Sequence, residues 1–224
     1  NKTDLAGVVT KAQAVTYIND VVNNSGHGLV ADFANLWLAA SFENFVGEDN
    51  TEMVWAVRFN GSGKGNWDLH EGNRFQVNIA PRGGSIGRYA TGWGGATVNP
   101  ALVNAYEAGD TRKAASFIDY AGEGLNFDPQ AREQRQYTGY SWKKYCPITN
   151  AAGTAVVEAN GGNFQIDNYQ DYAIIRFSDV LLMAAELNLL SNPALAQARA
   201  TARYSSLVFK PPIGKNLMEL PPIS

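Results

Sequence analysis

The residues best equipped to do chemistry are aromatic rings set among glycines. Trp67, Tyr89 and Trp93 lie within the stretch from Gly61 to Gly95, where glycine recurs at 61, 63, 65, 72, 83, 84, 87, 92, 94 and 95. Asn66, Asn73, Arg82 and Arg88 are close to them in sequence, and Tyr140 with Trp142 forms a second, weaker cluster. A sugar ring has apolar faces of C–H groups and a rim of hydroxyls, so its receptor needs flat aromatic platforms beside hydrogen-bonding side chains. Trp67, Tyr89, Trp93, Arg88, Tyr140 and Trp142 are therefore the candidate ligand contacts.

Bond-breaking chemistry finds weaker support. Gly83-Gly84-Ser85-Ile86-Gly87 satisfies G-x-S-x-G, but RYATGWGG follows where a helix is required, and both histidines, His27 and His70, precede the serine. His70-Glu71 lacks the second histidine of a zinc motif, and the spacing of GSGKG fits neither a P-loop nor a dinucleotide fingerprint. Asp68 with Glu71, and Glu48, Asp49 and Glu52, have the carboxylates of a glycosidase without an identifiable pair, so they read as solvated loop charges. The same oxygens would serve a structural calcium ion, yet no ligand spacing specifies one, and no cofactor or metal is expected. Cys146 is the single cysteine, which excludes an internal disulfide and reads as a buried apolar side chain.

Regular elements must hold these loops. The apolar residues Ala12, Val15, Ile18 and Val22 predict a helix from Thr10 to Asn24, and Phe33, Leu36, Trp37 and Ala40 predict a second from Asp32 to about Phe42. Alternation of Met53, Trp55, Val57 and Phe59 predicts a strand over Glu52–Asn60, and another is expected at Phe75–Ile79. Asn99-Pro100 supplies an N-cap and a first-turn proline for a helix reaching Tyr106, ended by Gly109. The next fifty residues or so, to about Gln165, read as irregular.

Tyr172 to Leu190 predicts a buried helix, too short and too charged to cross a bilayer, paired with a second helix after Asn192-Pro193. Arg176, Asp179 and Glu186 would share one stripe of it, as a structural strut locking the packing. With 224 residues, 45% hydrophobic content and a net charge of −3, the chain is globular and lacks the basic surface that nucleic acid requires.

Three ordered blocks resemble the SusD/RagB family of surface nutrient-binding proteins of Bacteroidetes. The first is Leu29, Asp32, Phe33, Leu36 and Trp37 followed by Glu52, Val54, Trp55 and Phe59. The second is Pro100, Leu102, Val103, Ala105, Tyr106, Gly109, Asp110 and Arg112, and the third is Ile175, Arg176, Asp179 through Met183, Ala185 and Glu186. The resemblance implies a mainly α fold of tetratricopeptide-like helix pairs (an α-α superhelix), with a large irregular loop subdomain containing a few short strands.

It divides the chain into a helix pair (1–50), a strand with the Gly/aromatic loops (51–98), a helix with an irregular region (99–171), a C-terminal helix pair (172–205) and a tail (206–224). It also implies a partial chain, lacking the family's N-terminal helices, its lipid-anchoring cysteine and an internal segment before KNLMELPPIS. The expected function is non-enzymatic: binding of a glycan or related nutrient at the outer membrane, and delivery to a SusC-like TonB-dependent transporter. A helical-repeat scaffold for protein partners and a polysaccharide-degrading enzyme are the alternatives.

Overall fold

A computed structural model describes residues 8–37, 49–61 and 64–205. Seven α-helices and two two-stranded sheets make these residues a mixed, largely helical fold. The chain divides into two compact units. Asn1–Ala31, Thr51–Trp55 and Ile175–Ser224 form the first, and Asp32–Asn50 with Ala56–Ile174 forms the second.

The first unit is built on helices. Its α1 (Lys11–Asn24) begins with a reciprocal cap: the Gln13 N–H donates to Thr10 Oγ1 at 3.3 Å, and the Thr10 N–H donates to Gln13 Oε1 at 2.9 Å. Ile18, Val21 and Val22 on one face of α1 pack against Phe177, Val180 and Leu181 of α6 (Phe177–Asn188), with Leu29, Val54 and Ala202 closing the cluster. The helix α7 (Pro193–Ser205) starts where expected, on an Asn192 side chain that accepts the Leu195 N–H, and it packs on α6 as the sequence foretells. Arg199 of α7 is buried and donates to Asn19 of α1 at 2.6 Å.

The predicted helix over Tyr172–Leu190 is two elements. Tyr172–Arg176 is a strand, β4, paired with β1 (Met53–Val57), and only from Phe177 does the chain turn helical. Tyr172, Ile174 and Ile175 are aromatic or β-branched and favour the extended form, and Arg176 occupies the N-cap position in extended backbone. The Asp179 carboxylate accepts the Arg176 N–H at 2.9 Å, which starts the helix there.

The second unit carries short elements among loops: α2 (Arg74–Ile79), α3 (Pro100–Asn104), α4 (Thr111–Ser116), β2 (Phe117–Asp119), β3 (Tyr140–Trp142) and α5 (Val156–Ala159). β2 and β3 are antiparallel, with Phe117 opposite Trp142, Ile118 opposite Ser141 and Asp119 opposite Tyr140. The inward residue Ile118 joins Ala80, Ile86, Tyr89, Tyr120, Phe127 and Cys146 in one core cluster. Burial pushes the Cys146 thiol well above its usual pKa, consistent with an inert core residue.

Three expectations change here, the first being that the stretch after Gly109 to about Gln165, read as irregular, carries α4, β2, β3 and α5. Phe75–Ile79 is helical, not extended, because the Asn73 side chain accepts the Phe75 N–H and caps α2. The alternating apolar residues Phe75, Val77 and Ile79 mimic a strand in sequence. The expected helix from Asp32 is a short 3-10 turn over Phe33–Leu36, and the rest of that prediction, residues 38–48, lies outside the described residues. The tail from 206 lies outside them too.

Candidate carbohydrate-binding surface

Trp67 is 49% exposed, and the Arg74 guanidinium lies 5.3 Å from its centroid. The loop that presents it is fixed at several points. Asp167 is fully buried, and its Oδ2 accepts the N–H groups of Gly65 at 2.7 Å and Asn163 at 2.6 Å. Lys64 Nζ donates to the Asn160 carbonyl at 3.0 Å, and Asn60 Nδ2 to Glu71 at 2.6 Å.

At Gly72 the chain passes so close to residues 166–167 that a Cβ would sit 2.0 Å from the Ile166 carbonyl oxygen. The Asn73 N–H then donates to Asn168 O at 2.7 Å, and Asn73 Nδ2 to Gln170 O at 2.6 Å. Trp67 is thus held on a loop whose polar anchors include the buried Asp167 and Asn73, which reduces the ordering cost of binding.

The other predicted contacts are scattered among different environments. Arg88 is exposed, while Trp93, Tyr140 and Trp142 are half-buried. Tyr89 is 2% exposed: its ring belongs to the core and its hydroxyl donates to Glu123 at 2.5 Å. Burial, reinforced by that carboxylate, holds the Tyr89 phenol far above its usual pKa, and its ring face is closed to a ligand. Asn73 is buried and committed to backbone partners, so it too leaves the surface. Around Ser85, the Arg132 guanidinium donates to the carbonyls of Arg82, Gly84 and Ser85, and a tight turn pairing Ile86 with Tyr89 follows instead of a helix.

The strut of Arg176, Asp179 and Glu186 is reorganised. Arg176 donates to Glu52 at 3.1 Å, a buried pair formed across the chain, while Asp179 caps the Arg176 backbone and Glu186 is exposed. Glu52 Oε2 also accepts the Val30 N–H at 3.1 Å. Glu52, which reads in sequence as a loop charge, is the true partner because Arg176 ends a strand and does not share the helix stripe of Asp179 and Glu186.

Sequence reasoning missed a group of rings at the surface of the second unit. Tyr145 and Tyr172 stack with centroids 5.3 Å apart, and Phe75 meets both edge-on at 5.7 and 5.5 Å. Phe75 is 42% and Tyr172 36% exposed. Tyr145 holds a φ of 60°, a left-handed conformation that an L side chain rarely adopts. Gln76 fixes it by donating to its carbonyl at 3.0 Å, and the Ala173 N–H donates to its hydroxyl at 3.1 Å. The rings come from three separate stretches of chain, so no local pattern unites them.

No family model and no curated protein matches this sequence, whereas solved structures do. A laminarin binding SusD-like protein matches with a TM-score of 0.70 and 24% identity over 88% of this chain and 44% of its own. Surface glycan-binding protein A from Bacteroides fluxus matches with a TM-score of 0.68 and 20% identity over 88% of this chain and 40% of that one. The corresponding protein from Bacteroides thetaiotaomicron, in complex with laminarihexaose, gives 0.68 and 19% over 88% and 43%. The chain therefore has the fold of SusD-like proteins, and it spans about two fifths of the length of these solved relatives.

Proposed function

We propose that this chain belongs to a non-catalytic receptor that holds a glycan at the outer face of the outer membrane. In this reading the full-length protein is lipid-anchored, carries further tetratricopeptide-like helix pairs beside those of the first unit, and passes its ligand to a SusC-like TonB-dependent transporter. The observation that carries the binding role is Trp67, half exposed on an anchored loop with a guanidinium beside its ring. The Phe75, Tyr145 and Tyr172 group adds further ring surface. The solved relatives support the ligand class: one is in complex with laminarihexaose, and another, with xylogluco-oligosaccharide, matches with a TM-score of 0.60 and 20% identity.

Each ring–sugar contact adds about 0.5–1.5 kcal/mol, by analogy with aromatic pairs. A few such contacts give dissociation constants near the millimolar range, equivalent to about 4 kcal/mol. A polymer that repeats the epitope raises the effective affinity without a new contact. Trp93, Arg88, Tyr140 and Trp142 remain candidate contacts elsewhere on the second unit.

Calorimetric titration with laminarihexaose and xylogluco-oligosaccharide, followed by end-group analysis, tests the reading. Weak saturable binding without new reducing ends is expected. New chain ends would make the protein a glycan-degrading enzyme, and absence of binding to a broad glycan panel would favour the protein-interaction scaffold.

A further inference from the structure

A second ring-and-charge constellation lies in the second unit, in a cleft of about 290 Å³ lined by α3, α4 and the β2–β3 ribbon. Its floor is apolar, formed by the buried Val103 and Phe117, and the exposed Ala114 also lines it. The antiparallel register places Asp119 directly opposite Tyr140 and Phe117 opposite Trp142. Residues two apart on a strand face the same way, so this ribbon sets a carboxylate beside an aromatic ring on one face. Ile118 and Ser141 point the other way, where the Tyr120 hydroxyl donates to Ser141 at 2.7 Å.

The charged groups of the cleft are unequally engaged. Asp110 is bound by Arg112 in an ion pair, and Glu123 is shared among the Tyr89 hydroxyl, Lys143 Nζ and the Asp119 N–H. Asp119 accepts the Gly122 N–H through Oδ1 at 2.9 Å, which turns the loop so tightly that a Cβ on Gly122 would lie 2.5 Å from Oδ2. Among the described residues no cation pairs with Asp119 and no acid pairs with Lys113, which also lines the cleft. One acceptor and one donor of opposite charge, over an apolar floor with a tyrosine at the side, suit a neutral polyol ring whose hydroxyls both donate and accept.

The geometry points to a subsite for a single neutral sugar residue, with Asp119 and Lys113 engaging its hydroxyls and Tyr140 facing its C–H surface. This deepens, and rests on, the glycan-binding reading. A volume near the lower end of ligand pockets, about 300 Å³, suits one or two rings and not a long chain. The cleft takes an end or a branch of the glycan, whereas the open surface at Trp67 takes its length.

The test is amide-resolved NMR on the isotope-labelled chain, titrated separately with methyl glycosides of glucose, galactose and xylose and with laminarihexaose. Saturable shifts at Lys113, Phe117 and Gly122 are expected for at least one methyl glycoside. Asp119→Asn and Lys113→Met should each weaken that response by fivefold or more, and Trp67→Ala should leave it intact. Laminarihexaose shifts confined to the Trp67 side chain, with a silent cleft, would overturn the subsite while leaving the binding reading standing. Cleft shifts that survive both Asp119→Asn and Lys113→Met would overturn the assigned contacts. Silence everywhere would remove both proposals.

Discussion

The two units of this chain are held together in different ways. The first relies on helix faces: Ile18, Val21 and Val22 of α1 and Val180 and Leu181 of α6 form one apolar cluster, with a buried Arg176–Glu52 pair beside the start of α6. The second adds to its apolar clusters buried polar anchors such as Asp167, Asn73 and Gln76, whose side chains satisfy loop backbone that has no helix or ladder of its own. A helical unit tolerates one lost polar contact only if its apolar face suffices. In a loop unit each lost anchor leaves buried backbone groups unpaired, and keeping them paired is what presents exposed rings rigidly.

The largest expected effect challenges the first half of that contrast. Glu52→Ala removes the carboxylate that accepts from both the Arg176 guanidinium and the Val30 N–H and should lower unfolding free energy by about 3–5 kcal/mol, read by urea denaturation. A variant as stable as the parent would show that the apolar helix faces alone hold the first unit. Gly72→Ala acts on the second unit, forcing a Cβ against the Ile166 carbonyl at a cost of about 1–3 kcal/mol. It should also move the indole resonance of Trp67, and an unmoved resonance would separate that ring from its anchors.

Trp67→Ala removes an exposed ring and should change stability by no more than about 0.5 kcal/mol. Its expected consequence is a loss of oligosaccharide affinity of about threefold to tenfold by calorimetry, matching a contact worth about 0.5–1.5 kcal/mol. Unchanged affinity would take Trp67 out of the site.

The smallest effect concerns acid. The Arg112 guanidinium holds the Asp110 carboxyl below its usual value, so the stability it lends is complete above an unfolded pKa of about 3.9 and is lost as pH falls through the lower folded value. Asp110→Asn keeps a capping oxygen for α4 but should flatten that acid limb in thermal melts between pH values on either side of the transition. An unaltered acid limb would assign it to other carboxylates.

Much of the first unit was legible in the sequence. The three-and-four spacing of Ile18 and Val22, and the Asn192-Pro193 start of α7, use local rules that the tertiary structure obeys. Asn99-Pro100 opened α3 for the same reason, since its side chain accepts the Ala101 N–H two residues on. The resemblance to SusD-like proteins rested on such blocks, and the fold agrees. Where local signals conflicted, reading failed: Phe75–Ile79 alternates like a strand, but the Asn73 cap makes it helical, and Tyr172–Arg176 continues an apolar run yet pairs with β1.

What the sequence by itself determined, then, are the starts of α1, α3 and α7, their helix faces and the glycine-rich character of the loops, because caps, periodicity and backbone freedom depend on residues a few positions apart. Only the tertiary structure decided that Tyr89 is sealed into the core while Trp67 stays exposed, though both lie in the same glycine-rich stretch. It alone joined Arg176 to Glu52, 124 residues away, and gathered Phe75, Tyr145 and Tyr172. Burial and long-range pairing depend on which distant segments meet, and residue type or spacing along one stretch carries no record of that.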